Sequence, residues 1–188
     1  MQAPDGLLEF AHSLLGSRLV YGEVAIEITE VEAYAGPLDP ASHAFTRTAR
    51  SEIMWGPPLR LYVYFSYGVH WCANVTWGPE GTAGAVLLRA GRVVEGAEVA
   101  RGRRGASVPD RRLASGPANL TSALAIDGTD NGADLTDEDG IHLELRETDP
   151  TIAAGPRVGI SKAADVPWRF WIDGDETVSA YRRSPRAI

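Results

Sequence analysis

The chain has 188 residues, 44% of them hydrophobic and 23% charged, with a single cysteine and a net charge of −7. This composition fits a globular domain with a core of its own, no apolar run approaches the ~20 residues of a membrane span, and one thiol excludes a disulfide framework or a thiolate zinc cluster. The acidic total speaks against a polyanionic partner only if charge is evenly spread, and it is not: residues 41–115 carry ten arginines against five acidic residues, whereas 116–150 carry one against nine.

The opening "MQAPDGLLEFAHSLLG" has neither a basic n-region nor a continuous apolar stretch, so no secretory signal is read there and a bacterial cytoplasm is the expected compartment. Asp5 is expected to cap a first helix with Leu7, Leu8, Ala11, Leu14 and Leu15 on one face and Gly16 as its stop. Next, "RLVYGEVAIEITEVEAY" alternates as a strand, apolar at Val20, Val24, Ile26 and Ile28 and then at Val31 and Ala33. The phase slips near Thr29 and Glu30, which predicts a bulge, a device that re-aims side chains beside active sites. Beyond the slip, Glu32, Tyr34 and, after a Gly-Pro loop, His43 form a group able to bracket a planar ligand with a carboxylate at its edge. Taken singly, each residue has a plainer reading, a surface glutamate or a hydrogen-bonded loop histidine.

"RLYVYFSYGVHWCANVT" predicts two strands joined at Ser66, Tyr67 and Gly68, the glycine supplying the positive φ of a tight turn. Tyr62 and Tyr64 can serve as core. Tyr67, immediately before the turn glycine, is suited to wedging between stacked bases from the minor groove. "AGAVLLRAG" predicts a further strand, and "ASGPANLTSALAI" a helix with Ser115 as cap and Pro117 in its first turn. The acidic run Asp127 to Gly140 reads as a solvated loop or turn series, and "GIHLELRE", "AAGPRVGI" and "WRFWIDG" as short strands. Strands at hairpin spacing predict a single α+β domain, residues 1–188, with a curved, mostly antiparallel sheet, flanking helices and a protruding hairpin. No metal or cofactor is expected, because the four histidines lack ligand spacing and "GPEGTAGA" lacks the lysine and hydroxyl of a phosphate-binding loop.

Five blocks, "EVEAYAGPLDPASHAF", "LYVYFSYGVHWCANV", "GAVLLRA", "ASGPANLTSALAI" and "IAAGPRVGI", together resemble the alkyladenine (3-methyladenine) DNA glycosylases of the mammalian type. The resemblance implies a monomeric, monofunctional enzyme of base excision repair acting on alkylated or deaminated purines in double-stranded DNA. It implies Glu32 as the base that deprotonates water, with Arg89 holding both. It implies Tyr34 on one face of an extruded base and His43 and Tyr64 on the other, Tyr67 filling the vacated space, and Asn74 rejecting guanine. Lys162, the chain's single lysine, lies in "GISKAAD" outside the aromatic and acidic blocks, so no amine is expected for lyase chemistry. The competing readings are a non-catalytic nucleic-acid binding module that uses the same aromatics as stacking platforms, and a carbohydrate hydrolase built on Glu32.

Overall fold

The computed structural model describes residues 1–66 and 68–188. Its framework is one antiparallel sheet. β1 (Arg18–Tyr21), β2 (Val24–Tyr34), β3 (Leu61–Ser66), β4 (His70–Thr76), β5 (Ala85–Glu95) and β7 (His142–Glu144) run in the order β3-β4-β5-β2-β1-β7; the two-residue β6 (Ala114–Ser115) adds to β5, and β8 (Ile152–Gly155) pairs with β9 (Arg169–Ile172), which in turn pairs with β2.

Alternation along these strands sorts side chains onto two faces. Val31 and Ala33, Leu61 and Val63, Ala73 and Val75, and Val86 and Leu88 join the main core, which α1 (Leu7–Leu14), α2 (Ala97–Arg104) and α3 (Pro117–Leu124) complete. Their neighbours Glu32, Tyr34, Tyr62, Tyr64, Cys72, Asn74, Ala85 and Leu87 point the other way. That second face is covered by loops, and a smaller cluster of Ala44, Met54, Tyr62, Ala83 and Ala85 sits beneath them.

β2 is the central strand and changes partner halfway. Its first residues pair with β1, Arg18 opposite Glu27, and its later ones with β9, Glu32 opposite Arg169. Along the other edge, Ile28 faces Gly91, Glu30 faces Ala90 and Val31 faces Leu88, so Thr29 is an extra residue on β2 and Arg89 an extra residue on β5. The phase slip in the sequence is therefore a bulge, and it confronts a second bulge across the ladder. After the two offsets, Glu30, Glu32 and Arg89 are brought together in one buried group.

Two capping expectations fail. Gly6, in the left-handed region at φ 88°, precedes α1 with no side-chain cap, and Gly116 rather than Ser115 precedes α3, also without one. The magnitudes explain why the helices form regardless: a cap contributes about 1 kcal/mol, whereas full burial of each of Leu7, Leu14 and Leu15 contributes about 1.5–3 kcal/mol. Helix α2 was not anticipated, because only Ala100 on it is buried and its pattern is nearly all polar. The acidic stretch is more ordered than a solvated loop. Asp127 closes a capping box with Asp130, Leu61 N–H donates to the Ala133 carbonyl at 2.9 Å, and Val63 N–H donates to Asn131 Oδ1 at 2.9 Å, so the segment covers the open edge of β3. Gly68 has the positive φ expected of it, 69°, whereas Tyr67 lies outside the described residues.

Candidate active site

The loop-covered face of the sheet encloses a cavity of about 590 Å³. Glu32, Tyr34, His43, Tyr64, Asn74 and Arg89, all singled out from the sequence, line it together, and only the wedge candidate Tyr67 falls outside the described residues. The strands account for this. Positions 32 and 34 on β2, 62 and 64 on β3, 74 on β4 and 85, 87 and 89 on β5 share a face by period two.

Glu32 is fully buried from outer solvent and held on both oxygens. Its Oε2 accepts a hydrogen bond from the Tyr34 hydroxyl at 2.8 Å, and its Oε1 accepts one from the Val158 N–H at 2.7 Å. Arg89 Nη1 stands 3.4 Å from Oε1, while Arg89 Nε donates to Glu30 Oε1 at 3.3 Å. Arg169 Nη1 also reaches Glu30 Oε1, at 3.0 Å. Two buried carboxylates thus meet two buried guanidiniums, and each charge has a partner, as burial demands. Burial opposes the charge on Arg89, but Glu32 and Glu30 together more than offset that, so its pKa rises.

Tyr34 is fixed from behind. The Arg157 guanidinium lies 4.7 Å from its ring centroid and is itself fully buried, donating to the Ala33 carbonyl at 2.9 Å and pairing with the buried carboxylate of Asp39, with Nη2 to Oδ1 at 3.0 Å. Burial first, and the adjacent Glu32 charge second, hold the Tyr34 phenol well above its ordinary pKa, so it stays a donor to Glu32.

Across the cavity, His43 sits at 4.6 Å from Tyr64, edge to face, and its Nδ1 is 3.0 Å from the Tyr62 hydroxyl. Desolvation by the pocket wall, with Arg50 second, lowers the pKa of His43 to about 4, so the ring is neutral near pH 7. Arg50 itself lies 4.8 Å from the Tyr64 centroid. Asn74 is buried between strands, its Nδ2 donating to the Tyr62 carbonyl at 3.0 Å.

Several contributors were not foreseen. Glu30 was treated as an ordinary strand glutamate, yet the phase slip already placed it on the side of Glu32. Asp39, Arg157 and Arg169 lie in stretches already read from the sequence, but nothing local marks their roles, since only the fold brings Asp39 to Arg157 and Glu30 to Arg169. Lys162, expected to lie apart from the aromatic blocks, lines the cavity with its Nζ 5.9 Å from the Phe45 ring. The loop that carries it positions the backbone donor to Glu32. Among the described residues there is no cluster of three or more metal-binding side chains.

Residues 4–176 match the family model described as methylpurine-DNA glycosylase (MPG). A protein of Nocardia farcinica is 54% identical over 186 residues, covering 94% of this chain and 88% of its own. A Rhodococcus jostii protein is 50% identical over 188 residues, 96% and 84% of the two chains. A Streptomyces avermitilis protein is 49% identical over 191 residues, 96% and 90%. All three carry the provisional name 3-methyladenine DNA glycosylase.

Proposed function

The chain belongs to the methylpurine-DNA glycosylase family, and from that premise we propose that it draws a damaged purine out of duplex DNA into the 590 Å³ cavity and releases the base by hydrolysis at Glu32. The observation that carries this reading is the state of Glu32, a carboxylate clamped by Tyr34, Val158 and Arg89 at the edge of an aromatic pocket. With its heavy atoms fixed by three partners, it loses little in reorganisation when it accepts a proton.

In the reaction, a water oxygen attacks the C1′ carbon as the C1′–N bond breaks, the bonding electrons leave with the purine, and Glu32 takes the water's proton. The transition state carries oxocarbenium character, so the same carboxylate also offsets positive charge on the sugar. Arg89, with Nη1 3.4 Å from Oε1, holds Glu32 in place. Alkylated purines leave readily because they are cationic, and binding must therefore choose the lesion more than accelerate its departure. Tyr34 and Tyr64 offer ring faces to a cation, and a neutral His43 adds no repulsion. Alkylated and deaminated purines also cost less to unpair, which favours their extrusion over intact bases. The hairpin that rises from β3 and β4 exposes Phe65 and Val69, apolar groups that support a wedge into the vacated stack, with Tyr67 between them in the sequence as the intercalating residue.

The test is Glu32→Gln. Gln preserves shape and stacking and removes the base, so single-turnover release from alkylated duplex should fall on the order of 10²-fold or more, with affinity for the duplex retained. Release at near-parental rate would leave the non-catalytic binding reading for the pocket and another group for the chemistry.

A further inference from the structure

We propose that the segment from Thr177 to Ile188 is a strap that positions the catalytic carboxylate, and that Ser179 is its principal positioning residue. The inference rests on the assignment of Glu32 made above. It concerns chain beyond residue 176, where the match to the family model stops.

The strap begins at the bulge. Thr177 Oγ1 lies 2.7 Å from Oγ1 of Thr29, the extra residue of β2, and both side chains are buried. Two residues on, the Ser179 N–H donates to Glu30 Oε2 at 2.8 Å, and the Ser179 hydroxyl accepts from Arg89 Nη2 at 3.3 Å. Arg89 reaches Glu30 with Nε and Glu32 with Nη1, so Ser179 holds the remaining guanidinium nitrogen and the remaining oxygen of Glu30. A guanidinium pinned at three nitrogens has its plane fixed, and that plane sets where Glu32 feels the charge.

Further along, the Gly159 N–H donates to the Arg182 carbonyl at 2.9 Å, Arg183 pairs with Asp165, and the Ile188 N–H donates to the Ser161 carbonyl at 2.9 Å. Gly159 and Ser161 belong to the loop whose Val158 N–H holds Glu32 Oε1. Both supports of Glu32 outside its own strand, Arg89 on one side and Val158 on the other, therefore lead back to the strap. Ser179 does not line the cavity; it acts through Arg89 and Glu30.

Ser179→Ala and Ser179→Thr separate positioning from folding. For Ser179→Ala, the single-turnover rate of base release should fall about tenfold, the equivalent of one charge-assisted hydrogen bond, while affinity for the same lesion duplex is unchanged. Ser179→Thr keeps the hydroxyl and should restore the rate. A parental rate in Ser179→Ala overturns the proposal. So does a loss of rate and of binding together in both variants in step with a lowered Tm, which is a folding defect. An active Glu32→Gln enzyme would sink the assignment of Glu32 itself, whereas an inactive Glu32→Gln beside a parental Ser179→Ala would sink the strap alone.

Discussion

On the proposed function, Asn74 is the residue expected to reject guanine. Its amide is tied to the Tyr62 carbonyl of the neighbouring strand at 3.0 Å, so it cannot swing aside to admit a bulkier purine edge without giving up that bond in a buried place. Asn74→Ala should accordingly raise excision of undamaged guanine relative to hypoxanthine, measured as a ratio on paired duplexes; an unchanged ratio would relieve Asn74 of the role. His43 makes a second prediction at this scale. Its pKa in the fold, about 4, is below the ordinary 6.5. The fold thus favours the neutral ring: the stability this contributes is intact above pH 6.5 and erodes as pH falls toward 4. A carbon-detected titration of the His43 ring should show no midpoint near 6.5, and Arg50→Ala should move the midpoint upward by removing a neighbouring positive charge. A midpoint at the ordinary value would mean the ring is fully hydrated in the empty pocket.

Among the elements, β2 was the most legible and the covering loops the least. The slip from even to odd apolar positions near Thr29 announced the bulge, because a residue added to one strand must flip every side chain beyond it. The facing bulge at Arg89 left no such trace, since "GAVLLRAG" is apolar on both of its faces. The aromatic hairpin was readable from strand propensity and Gly68. The pairing of Arg157 with Asp39 was not, for no local rule links residues so distant, and the same holds for Ser179 beside Glu30. Of the side chains around the cavity, those on patterned strands were readable together with His43, whereas Asp39, Val158, Arg157, Arg169 and Ser179, which hold them, come from loops and a late strand with no local pattern. One glycine illustrates how tightly a loop is bound to the sheet. Gly36 has φ 55°, and a Cβ there would fall 2.1 Å from the Ala83 carbonyl oxygen, a backbone atom with no freedom to retreat. Gly36→Ala should destabilise the protein by about 3 kcal/mol or more, since strain and a backbone clash combine, and denaturant unfolding would measure it. A loss below about 1 kcal/mol would mean that the loop can lift away from Ala83.

For the molecule as a whole, much of the basic charge in the middle of the sequence is committed to partners within the fold. Of the ten arginines between residues 41 and 115, Arg47, Arg60, Arg89, Arg92 and Arg101 pair with carboxylates, while Arg103 and Arg104 donate to backbone carbonyls. Apart from Arg89 these are surface pairs, and Arg50 and Lys162 are the basic side chains that line the cavity beside Arg89. The position of Lys162 on the cavity wall makes the absence of lyase chemistry a sharper prediction than the sequence alone allowed. Its Nζ stands 5.9 Å from the Phe45 ring in the same cavity as Glu32, so an amine is at hand and the proposed attack by water can be tested against it. Borohydride trapping on lesion duplex should yield no covalent adduct, with strand breaks appearing only after alkali. An adduct that disappears in Lys162→Ala would transfer the attack from water to the amine.

The pairing of β9 with the middle of β2 carries a consequence for how the protein comes into being. Glu30 stands opposite Trp171 and Glu32 opposite Arg169, so a late strand of the chain is laid directly beside the two buried carboxylates. A ribosome that has delivered the hairpin, the long central strands and all three helices has still not delivered Arg169, Val158 or Ser179. On the proposed function, a nascent chain at that stage has a place for a base and no fixed carboxylate to act on it. On that same reading, activity waits on residues 158–179, although every wall of the cavity up to Arg89 precedes them.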